Sequence, residues 1–92
     1  MEQRPLYEAL THAGFQVLEF SDHPASFGSW FVSVKWRHTR FRLAYDGRDG
    51  SLSLQQANAG ADWVDLQAQK APAHEGGLIA LGLSWLQDRV RI

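Results

Sequence analysis

Apolar and polar residues alternate with period two from residue 30 to residue 45, and this pattern constrains the fold more than any other part of the sequence. Side chains on a β-strand point alternately to the two faces of a sheet, so the alternation predicts strands with one buried face. We place a tight turn at His38 and Thr39. The resulting cross-strand pairs are Trp36 with Phe41, Val34 with Leu43, Val32 with Tyr45, Arg37 with Arg40, and Lys35 with Arg42. This register puts apolar residues on one face and cationic residues on the other.

One further strand is predicted on each side of this hairpin. Residues 15–20 form the first, followed by a loop over residues 21–29 that contains Ser, Asp, Pro and Gly. Residues 46–50 contain Asp-Gly twice, which is typical of a turn. Residues 51–55 then alternate again, and we place Leu52 and Leu54 opposite Tyr45 and Leu43. The prediction is a four-stranded antiparallel meander.

A helix is predicted at each end of the sheet. Pro5 suits the first turn of a helix over residues 5–14, and Gly14 suits its end. Residues 75–89 form the second helix, which is apolar nearly all round and therefore needs a partner on more than one side. Residues 62–66 fit either a short strand or a helical turn, and residues 67–73 look like a polar link. We predict one α+β domain over residues 1–92, in the order α-β-β-β-β-α, with both helices on the apolar face.

Composition limits the classes of function. The 92-residue chain has a formal net charge of −1 and no Cys, which disfavours bulk attraction to nucleic acid and excludes disulfides and thiolate metal sites. Residues 1–5 lack the apolar stretch of a signal peptide. The longest apolar run, residues 78–86, is interrupted by Gly82 and Ser84 and is too short to span a bilayer. We expect a soluble, cytoplasmic protein without a membrane partner.

No catalytic or metal-binding motif is recognisable. The four histidines lie at positions 12, 23, 38 and 74, without the spacing of metal ligands. Asp22, His23 and Ser26 are close in sequence, but a catalytic triad depends on converging geometry rather than on adjacency. Asp46 and Asp49 do not match a calcium-binding loop. We therefore expect no enzymatic activity, no metal and no cofactor.

The most specific feature is a cationic sheet face, formed in the predicted register by Lys35, Arg37, Arg40 and Arg42. Like charges opposite each other on paired strands are mildly destabilising, so acidic groups such as Glu19, a partner or water must compensate. The long loop adds Phe27, which has no evident support from a helix or strand. A second candidate surface consists of acidic residues in and near turns, namely Asp46, Asp49, Asp62 and Asp65.

The helix–meander–helix order, the length and the lack of Cys resemble small bacterial immunity proteins of contact-dependent growth inhibition and other polymorphic toxin systems. The resemblance covers the layout of most of the chain, including residues 41–54 with the Asp46-Gly47 turn and the later Trp63. It implies a one-to-one cytoplasmic complex with a cognate toxin domain, often a nuclease, whose active or substrate-binding site is occluded. Partner contacts would then come from Phe27 and the cationic face, or from the four acidic residues, and the sequence leaves both surfaces open.

Two other possibilities remain. The cationic face with Phe31 is similar to a stacking platform for single-stranded nucleic acid, although such proteins are normally more basic than this chain. The broadly apolar second helix also leaves room for a homodimer.

Overall fold

The computed structural model describes residues 3–60 and 62–90 and shows a five-stranded sheet between two helices. The elements are α1 (Gln3–His12), β1 (Gln16–His23), β2 (Ser29–Trp36), β3 (Thr39–Asp46), β4 (Ser51–Ala57), β5 (Trp63–Lys70) and α2 (Glu75–Val90). Each strand pairs antiparallel with the next, so the sheet order is the chain order. The predicted α+β class and the helix–sheet–helix order are confirmed, but the predicted number of four strands is wrong.

The missed strand is β5, which occupies the segment left undecided at residues 62–66 and most of the polar link. It pairs with β4 along its whole length but lies at the sheet edge, where most of its side chains are exposed. Asp65 pairs with Gln55 and Gln67 pairs with Leu54, so Leu66 is an extra residue that forms a bulge. A bulge breaks the alternation of apolar and polar residues, and an exposed edge strand needs little apolar character. For these two reasons the period-two pattern of the sequence did not identify β5.

The central hairpin has the predicted sidedness with a shifted register. Its two-residue turn is Arg37-His38 rather than His38-Thr39, so Lys35 pairs with Arg40 and Val34 with Phe41. All five predicted pairs across this hairpin are therefore wrong: Trp36 with Phe41, Val34 with Leu43, Val32 with Tyr45, Arg37 with Arg40, and Lys35 with Arg42. A shift of two residues keeps the side chains of both strands on their predicted faces because the side-chain period is two, but it moves Arg37 into the turn. Arg37 takes the left-handed conformation with a φ of 56°, which two-residue hairpin turns require.

The first strand is longer than predicted. Ser21, Asp22 and His23 pair with Phe31, Trp30 and Ser29, so the predicted loop over residues 21–29 shortens to residues 24–28. Polar residues can extend an edge strand because its outer edge faces solvent. The pairing of Leu52 with Tyr45 and of Leu54 with Leu43 agrees with the prediction.

Both helices pack on the same face of the sheet and enclose one core. The buried apolar residues come from α1, the residue before β1, the three central strands and α2: Leu6, Leu10, Phe15, Trp30, Val32, Val34, Phe41, Leu43, Leu52, Leu54, Leu78, Trp85 and Leu86. Gly82 lets α2 approach the sheet closely, because a Cβ at this position would lie 2.8 Å from Leu43 Cδ1. Within residues 3–60 and 62–90, neither helix is long and apolar enough to cross a membrane.

Candidate functional site

The face of the sheet opposite the helices, called the outer face here, carries a polar row that crosses all five strands. Directly paired positions form this central polar row, which consists of Glu19, Ser33, Arg42, Gln55 and Asp65. The next row along the strands is mostly small: Ser21, Phe31, Ala44, Ser53 and Ala68. Phe31 therefore stands above its row neighbours on the same side as Arg42.

Four side chains form a diagonal stack across the outer face. The stack runs from β1 to β5 through His23, Phe31, Arg42 and Trp63. The ring centroids of His23 and Phe31 are 6.2 Å apart, and Arg42 Cζ lies 4.3 Å from the Phe31 centroid and 4.1 Å from the Trp63 centroid. Strands β1 and β3 lie on opposite sides of β2, so the Phe31 ring is contacted from both neighbouring strands, by His23 and by Arg42. Each guanidinium–ring contact contributes about 0.5–2 kcal/mol, more where solvent is excluded.

Arg42 is the most unusual charged group of this face. Partial burial lowers the pKa of its guanidinium, and the nearby Glu19 carboxylate opposes that effect. Its Nε is buried without a hydrogen-bond partner among the described residues. Gln55, directly opposite on β4, donates from Nε2 to Asp65 Oδ1 at 2.8 Å, and its own Oε1 is buried without a partner. The centre of the polar row thus holds one unmatched donor and one unmatched acceptor on paired positions.

Two shallow depressions flank Arg42. One, of about 520 Å³, is lined by Leu18, Glu19, Ser33, Arg40, Arg42 and Trp63. The other, of about 380 Å³, lies over the row of small residues beside Phe31 and reaches Asp46 at the end of β3. Both are open to solvent, so they suit side chains of a partner better than an enclosed small molecule.

The predicted cationic residues fall into two groups. Lys35, Arg40 and Arg42 lie on the outer face, where Lys35 and Arg40 are paired neighbours. Arg37 lies in the β2–β3 turn at the same end of the sheet, with its Cζ 4.2 Å from the Trp36 ring centroid. The structure therefore places three of the four predicted cations on one face and the fourth at the end of that face.

Phe27 lies at the opposite end of the strands, beside the β3–β4 turn. Its side chain is 70% exposed, and its backbone packs so closely against Gly47 that a Cβ there would collide with it. Asp46 and Asp49 belong to the same end, where Asp46 Oδ1 accepts a hydrogen bond from the Arg48 amide at 2.9 Å. At about 3.4 Å per residue, the length of β2 separates this end from Arg37 by about 24 Å.

The four predicted acidic residues do not form one surface. Asp62 and Asp65 lie at the Trp63 end of β5, whereas Asp46 and Asp49 lie at the other end of β4. The seven residues of β4 span about 20 Å at ordinary strand geometry. Asp65 is held by Gln55, and the Asp62 amide donates to Asn58 Oδ1 at 3.0 Å within the β4–β5 turn.

Several residues of this face were not identified as site residues from the sequence. Strand pairing alone brings four residues to the part of the face around Arg42: Trp63, His23, Ser33 and Gln55. Recognition of β5 would have brought in Trp63, because this residue lies two positions before Asp65 and therefore on the same face of the sheet.

Among the described residues, no group of three or more His, Cys, Asp or Glu side chains could hold a metal ion. Comparisons of the chain with protein-family models, with curated proteins and with solved structures find no match.

Proposed function

We propose that this chain is an immunity protein that binds a cognate toxin domain one-to-one through the outer face and occludes its active or substrate-binding site in the cytoplasm. The observation that carries the proposal is the diagonal stack: an arginine held between two aromatic rings on a sheet face that neither helix covers. Arg, Trp and Tyr dominate the residues that contribute most to protein–protein affinity, usually near the centre of an interface. Such a stack at the middle of an open face therefore supports protein recognition.

The dimensions of the face support a partner of protein size. Five strands spaced by about 4.8 Å and about 24 Å long give a surface of about 600 Å². A standard interface buries about 800 Å² on each partner. A partner that covers the outer face would therefore also reach its two ends, where Arg37 and Phe27 lie. Both residues can belong to one footprint although they are far apart.

Charge on the outer face indicates what the partner presents. Lys35, Arg40 and Arg42 form its largest group of like charge, which favours a partner surface rich in carboxylates. A nuclease toxin fits if the face meets the carboxylates that hold its catalytic metal ions rather than its basic nucleic-acid groove.

The experiment uses the C-terminal domain encoded by the gene immediately upstream. We expect this domain to arrest growth of a bacterial host when produced alone and to be neutralised by co-production of this chain. Calorimetry of the purified pair should show one-to-one binding. An upstream domain that is harmless, or that stays toxic in the presence of the folded chain, would contradict the proposal.

A charge reversal locates the interface. We expect Lys35→Glu with Arg40→Glu to weaken toxin binding by well over tenfold, because both charges lie exposed on the outer face. Arg4→Glu with Arg89→Glu is the matched control, since it changes the net charge equally on α1 and α2. Equal affinities of the two double mutants would place the interface elsewhere.

Single-stranded nucleic acid is the second candidate, and the rings of Phe31 and Trp63 beside three cations favour it. This function requires oligonucleotide binding that falls steeply with salt. Absence of binding at low salt would remove it. A homodimer through α2 has less support, because Leu78, Trp85 and Leu86 of this helix are used in the chain's own core.

A further inference from the structure

We infer that the outer face recognises a carboxylate side chain of its protein partner, bound in the plane of the Arg42 guanidinium between Phe31 and Trp63. The inference rests on the proposed function in one respect, that a protein partner docks on this face. It adds the chemical group that the partner must place at the centre of the contact.

The stack determines how Arg42 can bind a ligand. Phe31 and Trp63 each lie against the guanidinium, with Cζ-to-centroid distances of 4.3 and 4.1 Å. A guanidinium whose faces are covered by rings can offer its N–H groups only in its own plane. A planar acceptor with two oxygens, such as a carboxylate, matches this arrangement with two parallel hydrogen bonds. The rings also fix the orientation of Arg42 before binding, which lowers the entropic cost of forming those bonds.

Arg42 has N–H donors that form no hydrogen bond with the described residues. Within residues 3–60 and 62–90, its side chain forms no hydrogen bond or ion pair, and its Nε is buried. Gln55, which pairs with Arg42 across β3 and β4, has a buried Oε1 acceptor without a partner among the described residues. A single acceptor of this kind can serve Nε but leaves both Nη groups free. Burial outweighs the effect of the nearby Glu19 carboxylate on this charge, and a bound carboxylate would offset the remaining cost of removing it from water.

The depression beside Arg42 provides the remaining contacts. Arg40 supplies a second cation, so two cations face the single carboxylate of Glu19, and Ser33, which is only 5% exposed, also lines the depression. Leu18 and Trp63 supply apolar walls that can pack against the methylene groups of an Asp or Glu side chain. These neighbours favour an acidic side chain over an isolated small anion.

A nucleic acid is a poorer fit to the same site. The Phe31 ring is already contacted by His23 and by Arg42, which leaves it less free to stack on a base. Glu19 and Asp65 lie on the same row as Arg42, and Glu19 lines the depression beside it. A phosphate backbone that crosses the row would bring several negative charges near these two carboxylates, whereas a partner's carboxylate side chain brings one.

The test uses nuclear magnetic resonance of the ¹⁵N-labelled full chain and needs no toxin. The probe is a glutamate-rich hexapeptide, and the same peptide with glutamine in place of glutamate is the control, both at constant ionic strength. We expect saturable shifts of the Arg42 Nε–H and Trp63 indole N–H signals with the glutamate peptide only. Arg42→Lys should weaken binding at least about tenfold, because an ammonium cannot form the paired bonds. Arg42→Gln should abolish binding, and Arg89→Gln on α2 should leave it unchanged.

Unfolding temperatures of all variants show whether a loss of binding reflects a loss of fold. No saturable shift with the glutamate peptide, equal binding by a folded Arg42→Gln variant, or tighter binding of oligothymidine would each overturn the inference. Peptide binding together with failure to neutralise the upstream toxin would refute the immunity function and leave carboxylate recognition standing. Neutralisation that is unaffected by Arg42→Gln would refute carboxylate recognition and leave the immunity function standing.

Discussion

His74 is the N-cap of α2, and a single hydrogen bond gives it this role. Its Nδ1 accepts from the Gly77 amide at 2.9 Å, and two glycines follow Glu75 in the first turn. Glycine is a weak helix former, so the start of α2 depends on its cap more than most helices do.

We expect His74→Ala to lower the free energy of unfolding by about 1 kcal/mol, because the first turn loses its side-chain acceptor. His74→Ser should retain most of the stability, since serine caps through its hydroxyl. Urea denaturation measures both, with His38→Ala in the β2–β3 turn as the control. Equal stabilities of the alanine variants at 74 and 38 would show that His74 does not cap the helix.

The sequence predicts the sheet face of some residues of the candidate site but not of all of them. The sequence predicted Lys35, Arg40 and Arg42 on the solvent side of the hairpin, because that conclusion needs only the parity of their positions. It failed for Arg37, whose place depends on the turn. Glycine is the usual residue where a two-residue turn needs a positive φ, and Arg37 at 56° gives no such signal.

Two of the three glycines of α2 have different surroundings. Replacing each of them with alanine tests how closely this helix packs against the sheet. Gly82 faces Leu43 on the central strand β3, whereas Gly76 is exposed in the first turn. We expect Gly82→Ala to cost about 1–3 kcal/mol, because the added methyl overpacks the helix–sheet contact. Gly76→Ala should stabilise by up to about 1 kcal/mol through a less flexible unfolded chain.

Thermal unfolding of both variants checks this pair. Stabilisation by alanine at both positions would mean that α2 does not approach β3 as closely as the structure shows. A loss at both would mean that the start of the helix needs glycine for a reason other than flexibility.

Elements differ in how well the sequence predicts them. The strands of the central hairpin and β4 face a covered side, and burial of that side imposes the alternation from which they were predicted. The edge strand β5 has no such constraint, and its bulge at Leu66 removes what periodicity remains. The omission of β5 also left the predicted site incomplete, because Trp63 and Asp65 lie near Arg42 only when β5 is part of the sheet.

In the molecule as a whole, both helices cover the same face of the sheet, and neither helix covers the outer face. Three cations lie towards the β2–β3 turn of this outer face, while the opposite end has the exposed Phe27 ring and charges of both signs, from Asp46, Arg48, Asp49 and Lys70. A partner that spans the face therefore meets different chemistry at its two ends, which fixes its orientation along the strands.

Titration of the ¹⁵N-labelled chain with the proposed toxin domain, followed by chemical-shift changes, tests the proposed interface most directly. We expect the largest changes in one continuous patch on the outer face, centred on Phe31, Arg42 and Trp63, with α1 and the exposed side of α2 unchanged. Changes confined to the helices, with the diagonal stack undisturbed at saturation, would contradict it.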